Sequence, residues 1–368
     1  MTKPEGPERT TGWAARRSLR GLAGVACLVL LAGAARAQQQ APAQAPGATA
    51  AAVAAAHNGR CIIIDSDGDL DDYRAAAMLA LPGRVVAIVM TEGIARPVQG
   101  AGAMERVLAR VRSINQARER DIPAIAVIPG ASGNPAARGP LEPDFGKWRD
   151  NAERLNGLLE APVEGSIPPP ADLAAALRER VKGCSRISLL MIGPWTSFLR
   201  YAAEVLEKTD RIIAQGRPYP DEAGGQPDGL NCIYDRDACF TAFDLLVGRQ
   251  LRAGRRLRTE WVDIPGGLQS CGTAEPGVDE WGQRRYAFAP TPEWADALAK
   301  AEGLAPDLAR MLRKNPDGWA RTSLWDDLAA LYLLRPDVFE VRGGHLEPCV
   351  RADVIRGMLT RAMEGKTP

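Results

Sequence analysis

Five aspartates lie within eight residues of the sequence, directly after an apolar run. They are Asp65, Asp67, Asp69, Asp71 and Asp72, in the stretch CIIIDSDGDLDDYRAAAML over 61–79. Carboxylates this close repel one another, so their ionised forms destabilise a fold unless a positive group lies among them. The nature of that positive group is the first question that the sequence raises.

Three interpretations of the cluster are open. A solvated acidic turn accounts for one or two aspartates but poorly for five. An EF-hand loop shares the Asp-x-Asp-x-Asp start, yet its twelfth position here is Ala76 rather than Glu and its sixth is Leu70 rather than Gly. The third is a calcium site at the end of a β-strand, completed by distant segments, since hard oxygen ligands suit calcium.

The elements around the cluster predict where it lies. A strand over 62–65 precedes it, a helix over 73–81 follows it, and similar segments alternate along the chain. Further strands are predicted over 85–90, 125–128, 187–192 and 212–213, and further helices over 101–116, 171–182, 198–206 and 237–248. This alternation predicts a single three-layer α/β/α domain, with a mostly parallel central sheet and helices on both faces.

Ligands in such sheets bind beyond the carboxyl ends of the strands, which is where the aspartates lie. The region 129–170 is rich in Gly and Pro and is long for a loop, so it predicts a lid or an insertion.

The amino-terminal sequence predicts export. Three arginines within 16–20 precede an apolar stretch over 22–31, and Ala35-Arg36-Ala37 has the small-residue pattern of a signal cleavage site. We expect a secretory signal peptide over 1–37, a disordered Gln/Ala/Pro-rich spacer over 38–57 and the folded domain over 58–365. The mature protein is then periplasmic or secreted and is not held in a membrane, whether the general or the twin-arginine route exports it.

Charge and cysteine content set further expectations. The net charge of +1 shows no basic balance that would point to nucleic acid as a partner. Six of the seven cysteines follow the predicted signal peptide, and an even count in an exported protein favours disulfides. Cys61 and Cys184 each precede a predicted strand, so we expect them to form a bridge if those strands are neighbours.

Four segments in order resemble the inosine/uridine-preferring nucleoside hydrolases, over roughly residues 60 to 340. They are the aspartate cluster after an Ile-rich strand, the Gly-Pro-x-Thr turn within 189–202, the Asn segment and Asp-x-x-Ala helix start within 230–239, and the Trp-Asp helix start within 324–339. The resemblance implies the fold of that family, a bound calcium ion, a small-molecule nucleoside substrate and a homodimer or homotetramer.

The resemblance also implies roles for individual residues. The implied calcium ligands are Asp67, Asp72, the main-chain carbonyl of Ile192, and Asp326. The implied substrate contacts are Asp71 and Asn231 on the ribose and Trp325, which resembles the purine-preferring branch in which an indole stacks on the base. Asp65 is implied to support the other aspartates, and Asp228 lies beside a position that contacts the sugar in the family.

The reaction implied is hydrolysis of the N-glycosidic bond of purine ribonucleosides to free base and ribose. In it, Asp67 is the general base that activates a metal-bound water for attack on the anomeric carbon. The transition state resembles an oxocarbenium ion, as in glycoside hydrolysis generally.

The sequence departs from the family pattern where the sugar is contacted. Ile94 and Ser197 stand where the family usually has Asn, and Gly229 stands where it usually has Glu. Three functions stay open for this reason: nucleoside hydrolysis with replacement contacts, hydrolysis of another N-ribosyl compound, and calcium-dependent binding of a ribosyl ligand without turnover. The candidate replacement contacts are Glu92, Asp228 and Glu222.

Overall fold

The computed structural model describes residues 59–139, 141, 143–154, 167–216, 229–253, 257–264, 288–314, 323–342 and 344–368. The predicted signal peptide and spacer lie outside these residues, and so do Asp228 and Glu222. All the described residues fall within one compact unit, Pro46–Pro368. Among the described helices, none is long and apolar enough to cross a membrane.

An eight-stranded sheet lies at the centre of the described chain. Its strands are β1 (Arg60–Ser66), β2 (Val85–Met90), β3 (Ala126–Pro129), β4 (Arg186–Ile192), β5 (Thr209–Gln215), β6 (Arg258–Val262), β7 (Phe339–Arg342) and β8 (His345–Pro348). Their order is β3-β2-β1-β4-β5-β6-β8-β7, and every pair is parallel except β7 with β8. The chain extends the sheet from β1 toward β2 and β3, then returns to add β4 on the other side. The carboxyl end of β1 is therefore a topological switch point, the usual place for a ligand.

Helices and short helical turns connect the strands. They are α1 (Leu70–Ala80), α2 (Pro97–Ala117), α3 (Phe145–Arg154), α4 (Leu173–Arg180), α5 (Thr196–Val205), α6 (Leu230–Ile233), α7 (Arg236–Ala253), α8 (Pro292–Lys300), α9 (Ala305–Lys314), α10 (Trp325–Leu334), a 3₁₀ turn (Pro336–Val338) and α11 (Ala352–Met363).

Alternate residues of the central strand are buried on opposite faces of the sheet. Ile62 and Ile64 belong to a core formed with α1, α2 and α8 to α11, whereas Cys61 and Ile63 belong to a second core formed with α4, α5 and α7. Burial on both faces explains why β1 is almost continuously apolar. The predicted three-layer fold with a mostly parallel sheet is confirmed.

The elements predicted from the sequence do not include β6, the β7–β8 hairpin or α3. β6 has only five residues and begins in an arginine-rich run, so it carries no clear apolar pattern. α3 lies in the Gly/Pro-rich region that predicted a lid or an insertion, and its sequence FGKWRDNAER is mostly polar.

The predicted Cys61–Cys184 disulfide is present, with 5.8 Å between the two Cα atoms. β1 and β4 are neighbours, as the prediction required, and Cys61 pairs with Ile187 in their register. A second disulfide, Cys232–Cys239, joins α6 to α7. It was not predicted, because two cysteines seven residues apart have no strand signal to bring them together.

Candidate functional site

The turn between β1 and α1 fixes the first carboxylates. Gly68 has a φ of +75°, in the left-handed region that glycine adopts without a steric penalty. The Asp69 side chain accepts from the Leu70 N–H at 2.7 Å, and the Asp72 carboxylate accepts from the Asp69 N–H at 3.0 Å. The Asp69 side chain also accepts from the Asp72 N–H, which completes a capping box. The box holds Asp71 and Asp72 in the first turn of the helix, where the helix dipole favours negative charge.

Asp67 is held on several sides by backbone. Its N–H donates to Asp72 Oδ1 at 3.1 Å, and its Oδ2 accepts from the Ile94 N–H at 3.1 Å. A Cβ added at Gly93 would overlap the Asp67 carboxylate, and one added at Gly193 would lie 2.8 Å from the Asp67 nitrogen. The two glycines therefore allow neighbouring loops to close on Asp67.

Three buried carboxylates meet beyond the end of β1. Asp326 follows Trp325 at the start of α10, which packs beside α1. Ligand oxygens of Asp71, Asp72 and Asp326 all lie within 4.8 Å of one another. Two oxygen ligands of one calcium ion lie at most about 5 Å apart, so the three carboxylates fit an ion of that size.

The other predicted metal ligands lie at the same edge of the sheet. The register of β1 and β4 pairs Ser66 with Ile192, which places Ile192 next to the residue that precedes Asp67. Asp71, predicted to contact ribose, belongs to the same carboxylate group as Asp72 and Asp326. The roles of Asp67 and Ile192 as ligands stay predictions.

Burial changes the acidity of this group. It raises the pKa of Asp65 from 3.8 to about 7. Burial, together with nearby carboxylates, raises the pKa values of Asp67, Asp71 and Asp326 well above the ordinary value. The raised pKa values mean that these carboxyls hold protons more tightly than exposed aspartates do, and a bound cation would compete with those protons.

A buried ion pair joins the two helices that carry the three carboxylates. Arg74 Nε donates to Asp327 Oδ1 at 2.9 Å, and its Nη2 donates to Oδ2 at 2.6 Å, with both side chains fully buried. Asp327 directly follows Asp326, so the pair sets the position of α10 against α1. Because Asp327 already balances the charge of Arg74, ionisation of the three carboxylates beside the pair adds negative charge that a bound cation would balance.

Asp65 lies in a hydrogen-bond network that connects the strand ends. It accepts from the Thr91 hydroxyl, and from the Tyr201 hydroxyl at 2.7 Å. Ser197 Oγ lies 2.6 Å from Thr91 Oγ1 and accepts from the Ala131 N–H at 2.8 Å. Ser197 thus has a bridging role between the ends of β2 and β3, at a position where the family pattern has Asn.

The predicted substrate contacts lie around this edge. Trp325 is half-buried and packs against the core on the α1 face, directly before Asp326. Asn231 lies in α6 and donates from Nδ2 to Gln215 Oε1 at 3.1 Å, beside the end of β5. Their contacts with base and ribose stay predictions, and Asp228 lies outside the described residues.

Ile94 contributes backbone rather than a polar side chain. Its side chain is buried in an edge cluster formed with Phe145, Ala152 and Tyr234. Its N–H holds Asp67, and its carbonyl accepts from Arg149 Nε at 2.8 Å. The position at which the family pattern has Asn therefore holds an apolar side chain that packs under α3.

The sequence predicted Glu92 as a candidate sugar contact but gave no indication of its partners Tyr234 and Arg149, which lie next to Ile94. Glu92 Oε1 accepts from the Tyr234 hydroxyl at 2.8 Å and from Arg149 Nη2 at 3.3 Å. Arg149 lies in the region that predicted a lid or an insertion, and no spacing in the sequence connects it to the other two. The sequence feature that points to this group is the position of Glu92, a carboxylate just after β2 at the carboxyl edge of a parallel sheet.

The fold matches those of solved nucleoside hydrolases. An inosine-uridine preferring nucleoside hydrolase from Bacillus anthracis superposes with a TM-score of 0.53 and 16% identity, over 83% of this chain and 99% of that chain. A purine-preferring ribonucleoside hydrolase from Gardnerella vaginalis superposes with a TM-score of 0.54 and 14% identity, over 83% and 98%. No protein-family profile matches the sequence, and no curated protein matches it. The chain has the nucleoside hydrolase fold that its four motifs predicted.

The raised pKa values predict how stability depends on pH and calcium. A carboxyl with a raised folded-state pKa stabilises the protein fully below its unfolded value of 3.8, and that contribution is lost as pH rises through the folded value, about 7 for Asp65. In a chelator, the melting temperature should therefore fall between about pH 5 and pH 8. Calcium should raise it more at pH 8 than at pH 5, because the ligands must lose their protons.

Thermal melts with calcium and with chelator at each pH check this. Asp326→Asn is the matched control, since it lacks one of the three carboxylates and should lose most of the calcium effect at pH 8. A melting temperature in chelator that does not fall with pH, or a calcium effect equal at both pH values, contradicts the prediction.

The Arg74–Asp327 pair predicts an asymmetry between single and double substitutions. Asp327→Asn leaves the Arg74 charge buried without its counter-ion, so it should lower the free energy of unfolding by about 3–5 kcal/mol. Arg74→Met combined with Asp327→Leu removes both charges and should stay within about 1 kcal/mol of the wild type. Urea denaturation in the presence of calcium measures both, and a single variant as stable as the wild type contradicts the assignment.

Proposed function

We propose that this protein hydrolyses the N-glycosidic bond of ribonucleosides, with a preference for purines, to free base and ribose, and that it requires calcium. The observation that carries the proposal is the meeting of Asp71, Asp72 and Asp326 beside a backbone-held Asp67, at the switch point of a nucleoside hydrolase fold.

Calcium fits the donor set of this site. Asp67, Asp72 and Asp326 would hold it with carboxylate oxygens and Ile192 with its carbonyl oxygen, all hard ligands. When bound, the ion would supply the positive charge that makes water more acidic and that holds sugar hydroxyls. The Asp71 carboxylate and the Asn231 amide would then bind the ribose hydroxyls.

Asp67 is the proposed general base. The Ile94 N–H fixes its Oδ2, while Gly93 and Gly193 let the chain close around it. It would take the proton from the water that attacks the anomeric carbon as the bond to the base breaks. Positive charge develops on the sugar in this step, and the carboxylates of Asp71 and Asp72 would favour it.

Trp325 is the proposed contact for the base. It directly precedes Asp326 and is half-buried against the core, and we propose that its accessible part faces the base. Stacking of a base on an aromatic ring contributes about 1–3 kcal/mol, and the larger purine ring system gains more overlap. This supports the purine preference.

The buried side chain of Ile94 favours a second candidate. A sugar pocket that lacks the usual Asn contact suits an N-ribosyl compound with a different sugar substituent. A binding protein without turnover is the third candidate, but the orientation of Asp67 by backbone argues for a base that acts.

We also propose that the protein is exported to the periplasm or medium and assembles as a homodimer or homotetramer. The leader-like sequence supports the export, and the family resemblance supports the assembly.

Asp67→Asn separates catalysis from metal binding. The amide keeps an oxygen for the Ile94 N–H but cannot take a proton, so kcat for inosine should fall by about 10²–10⁴-fold or more. Calcium binding, measured by calorimetry, should persist. The control is Asp210→Asn, an exposed residue of β5, which should leave both unchanged. A fully active Asp67→Asn enzyme contradicts the mechanism.

Trp325→Ala tests the base contact. It should lower kcat/KM for inosine and guanosine by about 5- to 150-fold, from the loss of stacking, and lower it less for uridine and cytidine. Trp325→Phe retains a ring and should keep most of the purine preference. Equal losses on purine and pyrimidine nucleosides would remove the stacking role.

A further inference from the structure

A disulfide that the proposed mechanism does not use lies beside one of the proposed substrate contacts. Cys232 and Cys239 join α6 to the first turn of α7, with 5.2 Å between their Cα atoms. Cys232 directly follows Asn231, whose amide is the proposed ribose contact. The covalent tie to α6 therefore attaches one residue from a side chain that the reaction needs in place.

α6 is too short to be stable by itself. It has four residues, whereas isolated helices shorter than about 12–15 residues are marginal in water. Its N-cap residue, Gly229, supplies no side-chain hydrogen bond to the first turn. The position of Asn231 thus depends on what holds α6 from outside.

Among the described residues, two hydrogen bonds reach α6 from outside. The Ile233 carbonyl accepts from the Gly139 N–H at 2.8 Å, and Asn231 Nδ2 donates to Gln215 Oε1 at 3.1 Å. Asn231 and Gln215 are both half-buried, so water competes for the second bond. The disulfide adds a covalent tie for which water cannot substitute.

The bridge also closes the segment 232–239 into a ring that contacts other loops at the same edge of the sheet. Within this ring, Asp235 Oδ2 accepts from the Thr196 hydroxyl at 2.8 Å, and the Tyr234 hydroxyl donates to Glu92 Oε1 at 2.8 Å. Thr196 follows β4 and Glu92 follows β2. The ring is therefore in contact with the strand ends that surround the carboxylates.

The two disulfides of the described chain differ in what they constrain. In the chain-entropy model, a bridge stabilises the fold more as the loop that it closes becomes longer. Cys61–Cys184 spans 123 residues and lies at the amino end of β1, whereas Cys232–Cys239 spans seven and lies at the site. The long bridge thus acts mainly on global stability, and the short one mainly on local geometry.

We propose that the Cys232–Cys239 bridge is a redox switch: a thiol reductant opens it and releases α6, so that the enzyme is fully active only in an oxidising compartment. The inference rests on the proposed function, which assigns Asn231 to the ribose. Because the leader-like sequence predicts export, the bridge would form only after the chain has left the reducing cytoplasm. Nucleosides in the cytoplasm would then be protected from the precursor.

The switch operates by thiol–disulfide exchange. Cys239 is fully buried and Cys232 is 8% exposed, so the thiolate of a reductant attacks Cys232 Sγ. A mixed disulfide forms as the bond between the two cysteines breaks, and Cys239 leaves as a thiolate that takes a proton from water. The second thiol of a dithiol then displaces Cys232 and closes a disulfide within the reductant, so two electrons pass to the bridge.

The experiment treats the folded protein with dithiothreitol in the presence of calcium and measures hydrolysis of inosine. Opening of the bridge should lower kcat/KM by about 10- to 100-fold, because a misplacement of about 1 Å can cost about 10²-fold. Reoxidation with oxidised glutathione should restore it. Alkylation followed by peptide mass spectrometry identifies the reduced cysteines, and near-UV circular dichroism should show that the protein stays folded.

Two double variants separate the bridges. Cys232→Ala with Cys239→Ala should have the kcat/KM of the reduced wild type and should not respond to dithiothreitol. Cys61→Ala with Cys184→Ala is the matched control. It should lower the melting temperature more, yet keep the wild-type kcat/KM and the wild-type response to dithiothreitol.

Each other outcome has a distinct meaning. The inference alone is overturned if kcat/KM is unchanged when Cys232 and Cys239 are reduced, or if the bridge resists dithiothreitol in the folded protein. Activity that falls together with the near-UV signal shows a structural role and also overturns it. If the oxidised wild type releases base from no nucleoside, the proposed function itself fails. Should the Cys232→Ala and Cys239→Ala variant not fold, reduction and reoxidation of the wild type decide the question.

Discussion

Burying several carboxylates at the end of one strand is the constraint on which the site depends. Ionised groups that are removed from water and placed within 4.8 Å of one another are unstable unless a cation joins them or they take up protons. The raised pKa values of Asp67, Asp71 and Asp326 describe the protonated alternative. A bound cation would instead stabilise the ionised carboxylates, and the hard oxygen donors around the site are those that calcium prefers.

The surrounding structure holds these carboxylates in place. A capping box orients Asp72, two glycines allow loops to close on Asp67, and the buried Arg74–Asp327 pair fixes α10 against α1. Backbone N–H groups bind both oxygens of Asp72 and Oδ2 of Asp67. A carboxylate has about four acceptor sites, so these oxygens can still bind a ligand. Such preorganisation lowers the cost of assembling charge at the moment of reaction.

The fold and the site followed from the sequence to different extents. The alternation of strands and helices predicted the sheet and the edge at which the aspartates lie, because strands buried on both faces have nearly continuous apolar sequences. The Arg74–Asp327 pair spans 253 residues of sequence, and no local pattern indicates it. The motif resemblance located Asp326, but it could not show that Ile94 packs under α3, since α3 is polar and lies where a long loop was predicted.

The central claim is that the buried carboxylates form a calcium-dependent centre for nucleoside hydrolysis. The most direct measurement is release of free base from inosine, adenosine, guanosine, uridine and cytidine, with calcium and with a chelator. The account predicts release from purine nucleosides that stops in the chelator and returns when calcium is restored. Release that is unaffected by the chelator, or no release from any of the five with calcium bound, would contradict it.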